Sequence, residues 1–135
     1  METSKPKVFN PSLRKDQLEV RRLQKDKHTY TIDTFTNQLE ELFLSRNPKL
    51  KRNPELAKKQ AAEFLKSSTK KYHLEQRGRW VYFAWSNTLV HILDEHDFFE
   101  LRTSRNHDLI TKEEQKVLKN FRIGIAGLSV GNSAA

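Results

Sequence analysis

Residues 79–93 read RWVYFAWSNTLVHIL, two short runs rich in β-branched and aromatic residues on either side of Ser86 and Asn87. Such side chains suit a pleated, half-buried surface, and a polar pair between two such runs is a turn signal. The stretch predicts a β-hairpin over about 79–93. Gly78 marks the change of texture in front of it, and the sequence before that glycine has the spacing of helices.

Working upstream, NPELAKKQAAEFLKSSTKK (53–71) opens with Asn53 and Pro54, a capping residue and a first-turn proline. Leu56, Gln60, Ala61, Phe64 and Leu65 share one face of that helix. In DTFTNQLEELFLSRNP (33–48), Phe35, Leu39, Leu42 and Phe43 fall at i, i+4, i+7 and i+8, with Asp33 or Thr34 as cap and Pro48 as stop. Ser12 opens a third helix to about His28, although Leu13, Leu18, Val20 and Leu23 do not form one clean stripe. Residues 1–11, with Pro6 and Pro11 and little pattern, read as a loose arm.

Downstream of the hairpin, DEHDFFELRTSRN (94–106) reads as a short helix with acids in its first turn, where they oppose the positive end of the helix dipole. Thr111 and Glu114 have the spacing of a capping box and open TKEEQKVLKNF, which runs directly into the strand-like RIGIAG (122–127). The sequence therefore predicts an α+β fold. It consists of N-terminal helices packed on the hairpin (1–107), then a linker helix, strand and turn that start a truncated Rossmann-like α/β domain (108–135).

The 135 residues are 36% apolar and 31% charged, the composition of a globular protein, and they contain no cysteine, which excludes disulfides and thiolate chemistry within this stretch. No apolar run has the length of a signal peptide or a membrane span, so a cytoplasmic protein without membrane contact is expected. The net charge of +8 is uneven. Residues 1–80 hold 19 Lys+Arg against 10 Asp+Glu, whereas residues 81–135 hold 6 against 7. The cations alternate with acids, and neither zinc-finger spacing nor an RNA-binding aromatic signature accompanies them, so nucleic acid is not the expected partner.

His28, His73, His91, His96 and His107 contain no pair at the i, i+4 spacing of a helical zinc motif, so no metal site is assigned; His91 and His96 fit a polar turn between hairpin and helix. Trp80, Tyr82 and Trp85 beside Arg77 and Arg79 could stack on bases, but large aromatics more often form the packed face of a hairpin. Glu40, Glu41, Asp94 and Glu95 nominate no acid/base pair.

The C-terminal stretch carries the functional reading. Ile123 and Ile125 alternate into Gly127, Ser129, Gly131, Asn132 and Ser133. A strand that turns through small residues lets backbone N–H groups at a helix start approach a phosphate. In sequence, LRTSRNHDLITKEEQKVLKNFRIGIAGLSVGNSAA (101–135) resembles the opening of ThiF-type adenylyltransferases, the family that includes the ubiquitin-activating enzymes. There a segment R-Y-x-R-Q precedes a connecting helix, an apolar strand and a glycine-rich turn. Arg102-Thr103-Ser104-Arg105-Asn106 stands at the first place, residues 112–121 at the second and Gly127 to Gly131 at the last. The departures are Thr103 and Asn106 in the arginine segment, and Ser129, Val130 and Asn132 where glycine is common. More loosely, WVYFAWSNTLVHIL and GLSVG are similar to a bacterial subgroup in which a helical N-terminal region precedes the ThiF-type domain.

The resemblance implies ATP over the turn, with Gly127, Ser129 and Gly131 as cofactor-binding positions and Arg105 as a cation reaching the nucleotide of a neighbouring subunit in a homodimer. It also implies a carboxylate substrate, such as the C-terminus of a small carrier protein, activated as an acyl-adenylate. Magnesium and triphosphate ligands would follow Ala135, so this chain is expected to be an inactive N-terminal piece of a longer enzyme. Two other readings stay open: the start of a NAD(P)-dependent oxidoreductase, and a basic, non-catalytic interaction module. For Arg105 the competing reading is a surface or interdomain ion pair.

Overall fold

The computed structural model describes residues 5–71, 73–106 and 109–124. The chain divides into two compact units, Met1–Ser104 and Arg105–Ala135. Five α-helices and a four-stranded mixed sheet among the described residues make the fold α+β.

The hairpin is present as β3 (Arg79–Phe83) and β4 (Thr88–Ile92), paired antiparallel with Trp80 opposite His91 and Val81 opposite Val90. The connection is a 3-10 turn, Ala84–Ser86, closed by Asn87 in the left-handed region at φ 50°, which asparagine tolerates better than most residues. Tyr82 donates its hydroxyl proton to the Asn87 side-chain carbonyl. Two further strands extend the sheet. β1 (Lys7–Phe9) pairs antiparallel with β3, and β2 (Tyr30–Asp33) pairs parallel with β4, giving the order β1-β3-β4-β2. Residues 7–9 are thus a strand rather than part of a loose arm. The three-residue β1 is too short to show periodicity, and β2 is exposed throughout, so neither carries the apolar alternation that announces a strand.

Because β1 and β2 run in the same direction at opposite edges of the sheet, the helix joining them, α1 (Arg14–Lys25), crosses one sheet face. It buries Val20 and Leu23 on Trp80 and Leu89, with Phe9 and Tyr82 beside them. Leu13 and Leu18 remain 56% and 60% exposed, which explains the missing stripe: only two of the four apolar residues face the sheet. The helix starts at Arg14, not Ser12, with Leu13 at the cap position; Asn10 Oδ1 accepts from the Ser12 N–H instead.

A second core lies among helices. In α2 (Phe35–Arg46), Phe35, Leu39 and Leu42 are buried and join Leu93, the residue after β4. Phe64 and Leu65 of α3 (Pro54–Lys71), Leu74, and Phe98 and Leu101 of α4 (Glu95–Thr103) complete it. Asn53 caps α3 by accepting from the Leu56 N–H, as its sequence position suggests, and Asp94 caps α4 by accepting from the Asp97 N–H. The inward face of α3 is shifted from the predicted one: Ala57 and Ala61 are buried, while Leu56 and Gln60 are exposed. Small alanines there allow close approach to α2, where Phe43 and Phe64 stack at 4.7 Å.

The second unit contains α5 (Lys112–Leu118) with both hydrogen bonds of its capping box: the Glu114 N–H to Thr111 Oγ1 at 3.2 Å and the Thr111 N–H to Glu114 Oε2 at 2.7 Å. Arg122–Gly124 has no regular secondary structure, so the predicted strand does not begin at Arg122; its remainder, 125–127, and the turn to Gly131 lie outside the described residues. No helix among the described residues is long and apolar enough to cross a membrane.

Candidate functional site

The sequence-predicted site residues separate into two groups. Gly127, Ser129 and Gly131 lie outside the described residues. Arg105 sits in a 3-10 turn, Ser104–Asn106, exposed, and forms no ion pair among the described residues. Arg102, three residues earlier at the end of α4, is exposed as well.

The densest polar chemistry of the first unit centres on His91, for which the sequence allows either the second strand of the hairpin or a polar turn after it. It is a β4 residue with 0% exposure. Its imidazole is stacked between Phe35 (centroids 4.6 Å apart, 11° between planes) and Trp80 (4.3 Å, 5°). Trp80 belongs to the core under α1 and Phe35 to the core among the helices, so this ring joins the two. Nδ1 lies 3.1 Å from Asp33 Oδ1, and Nε2 lies 2.8 Å from the Arg77 carbonyl oxygen. Both neighbours are acceptors at these distances. A neutral ring has one N–H and satisfies one of them, while the ring with two N–H groups satisfies both. The same Asp33 oxygen accepts from the Phe35 N–H at 3.0 Å, and Thr34 donates both its N–H and its hydroxyl to the His91 carbonyl.

Local sequence explains the placement. Arg77 and Gly78 lead into β3, and Gly78 at φ 70° packs so tightly that a Cβ there would lie 2.2 Å from the Ile92 carbonyl oxygen and 2.7 Å from Phe35. Only glycine fits that corner. The Arg77 guanidinium carbon stands 5.8 Å from the Phe35 ring centroid, within cation–π range. With both nitrogens facing protein oxygens and the ring buried, neither nitrogen of His91 is open to a metal. The signal in the sequence was a histidine inside an apolar strand run, opposite a tryptophan.

A second cluster gathers His96, Asp97 and Glu100 on α4, whose ligand atoms lie within 4.8 Å of one another. Arg46 of α2 already engages it. Its Nε donates to Glu100 Oε1 at 2.9 Å, and its terminal nitrogen donates to Glu100 Oε2 at 2.8 Å and Asp97 Oδ1 at 2.7 Å. The hydrogen bond to Glu100 first, and then Asp97, push the guanidinium pKa further up. The cluster is an interhelix clamp, and Arg46 neutralises the charge that would attract a cation.

Of the aromatic trio, Trp80 is buried and Tyr82 partly so, in accord with a packed face, while Trp85 is 61% exposed and meets Phe83 edge-on at 5.1 Å. A cleft of about 270 Å³ opens beside α1, between Gln17, Val20, Arg21 and Gln24 on one side and His73, Glu75 and Gln76 on the other, with Pro11 and Trp80 completing it. Nothing in the spacing marked this cleft, because three of its four α1 residues are polar and exposed helix positions look alike in sequence.

No family model matches the sequence, and no solved structure does. Over 62 residues, 46% of this chain, it is 44% identical to a protein of Mycobacterium tuberculosis (strain CDC 1551 / Oshkosh) described as "Uncharacterized protein MT1398". The matched stretch spans 9% of that relative's length.

Proposed function

We propose that this chain is the N-terminal region of an ATP-dependent, ThiF-type adenylyltransferase that activates a carboxylate, with the C-terminus of a small carrier protein as the substrate class. The observation that supports the reading most is the order Arg102, Arg105, capped α5, then Ile123 to Gly131, which is the order in which that family presents its arginine segment, connecting helix and nucleotide turn. The capping box fixes where α5 begins, directly after Thr111. The exposed Arg105, without an ion pair among the described residues, fits a cation held for phosphate charge.

In this reading Gly127, Ser129 and Gly131 offer small side chains, so that main-chain N–H groups can meet phosphate oxygens. ATP would supply the α-phosphorus that the carboxylate attacks, with pyrophosphate leaving as the acyl-adenylate forms. Arg105 counters phosphate charge, in the partner subunit's site if the enzyme is a homodimer. Magnesium ligands and the ribose-binding acid belong to residues beyond Ala135, and the 135-residue chain alone is expected to be inactive.

The test is ATP–pyrophosphate exchange by the complete protein in the presence of candidate carboxylates, before and after Arg105→Ala and Gly127→Val. Exchange that both substitutions reduce at least about tenfold, the scale of one lost charge-stabilising contact, supports the reading. Absence of exchange together with tight NADH or NADPH binding would replace it by the oxidoreductase reading.

A further inference from the structure

The cleft beside α1 presents a combination that the fold itself does not use. On α1, Gln17, Val20, Arg21 and Gln24 fall at i, i+3, i+4 and i+7, so they share the side that faces it. Its apolar part is Val20, Pro11 and Trp80, all buried. Gln17 is anchored by donating its side-chain N–H to the Pro11 carbonyl at 2.6 Å, and Trp80 donates its indole N–H to the Glu75 carbonyl at 3.4 Å. By contrast, the side chains of Gln24, Gln76, Arg21 and His73 form no hydrogen bond or ion pair among the described residues.

The Gln24 and Gln76 amides, unpaired among the described residues and each with a donor and an acceptor, match the alternating N–H and C=O of a peptide main chain. A volume of about 270 Å³ lies just under the roughly 300–1,000 Å³ of pockets that enclose a whole small ligand. It accommodates one or two side chains. The charge around it selects the sign of the partner. Arg21 stands at the mouth, Arg14 lies seven residues before it and Lys25 four after it, and all three are exposed without ion pairs among the described residues. Glu75 is the one acid among the cleft residues.

We infer that this cleft docks an extended acidic peptide segment of a partner protein, with one apolar side chain seated against Val20 and Trp80, an adjacent carboxylate on Arg21, and main chain on Gln24 and Gln76. A bidentate arginine–carboxylate contact at a partly desolvated cleft gives orientation as well as affinity. Every cleft residue belongs to the first unit, so the inference is independent of the adenylylation reading.

Fluorescence anisotropy of a fluorescein-labelled peptide Asp-Glu-Leu-Asp-Glu with the 135-residue chain tests it. Binding is expected to weaken with salt, and about tenfold with Arg21→Glu, with Gln24→Trp, which fills the cleft, and with Gly in place of the peptide's Leu. Lys58→Glu, the same charge change on an exposed position of α3, is expected to alter affinity less than about twofold. Both cleft substitutions are at exposed positions, and thermal melts verify that the variants fold. Equal losses from Arg21→Glu and Lys58→Glu, undiminished affinity of the Gly peptide, or a single-stranded oligonucleotide that outcompetes the peptide would each overturn the proposal.

Discussion

Replacing His91 separates the two roles its ring plays between the cores. His91→Ala removes a fully buried aromatic ring stacked on both faces, together with the polar contacts of its two ring nitrogens. Truncating a buried aromatic costs about 3–5 kcal/mol through lost contacts and the cavity left behind. Against a total of about 5–15 kcal/mol for an ordinary domain, that loss threatens folding altogether. His91→Phe keeps the ring and both stacking partners but cannot donate, leaving the Arg77 carbonyl oxygen, 2.8 Å from Nε2 in the wild type, without a donor. A buried acceptor without a partner costs about 1–3 kcal/mol. Asp33, with 53% of its side chain exposed, turns to water and keeps its bond from the Phe35 N–H, so it adds little. Urea unfolding followed by near-ultraviolet circular dichroism reads both variants. The order expected is wild type, then Phe lower by about 2 kcal/mol, then Ala lower by at least about 3. A Phe variant as stable as the wild type would show that the hydrogen bonds contribute nothing. A Phe variant as damaged as Ala would show that stacking contributes nothing. Either result refutes the account of His91 as a ring that must be both flat and a donor.

Three other perturbations have definite directions. Gly78→Ala combines a left-handed backbone with a Cβ 2.2 Å from a strand carbonyl that cannot swing aside, so a loss of about 3 kcal/mol or more in the same unfolding assay is expected. Arg46→Gln opens the clamp between α2 and α4; because Arg46 is 45% exposed, the expected loss is only about 1 kcal/mol and shrinks in high salt, as thermal melts at two ionic strengths will show. The Thr111 N–H, and then its hydroxyl, hold the Glu114 carboxyl below the usual glutamate pKa. That stabilisation is therefore complete above the ordinary glutamate range and is lost as pH falls through the depressed value. Amide hydrogen exchange at Thr111 and Glu114 is expected to quicken relative to the intrinsic rate across that acidic window, and Thr111→Ala should abolish the dependence.

What the sequence determined by itself was local. Asn53 and the Thr111–Glu114 pair were legible as caps because capping depends on residues three apart in the chain and on little else. The hairpin and the apolar faces of α2 were legible because their period matches their secondary structure. The α+β class followed from the same signals. Tertiary structure alone decided where exposed or short segments go. Tyr30–Asp33 has no buried residue and becomes a strand only because β4 offers a free parallel edge, and Lys7–Phe9 pairs only because β3 has another. His91 looked like a turn residue or a stray ligand until Trp80, across the hairpin, and Phe35, more than fifty positions earlier, closed on its two faces. The cleft beside α1 was equally hidden, since whether a glutamine faces water or a pocket depends on what lies across from it. Caps and periods are encoded within a few residues, whereas a stack, a sheet edge or a cleft is a relation between distant residues that exists only once the chain has folded.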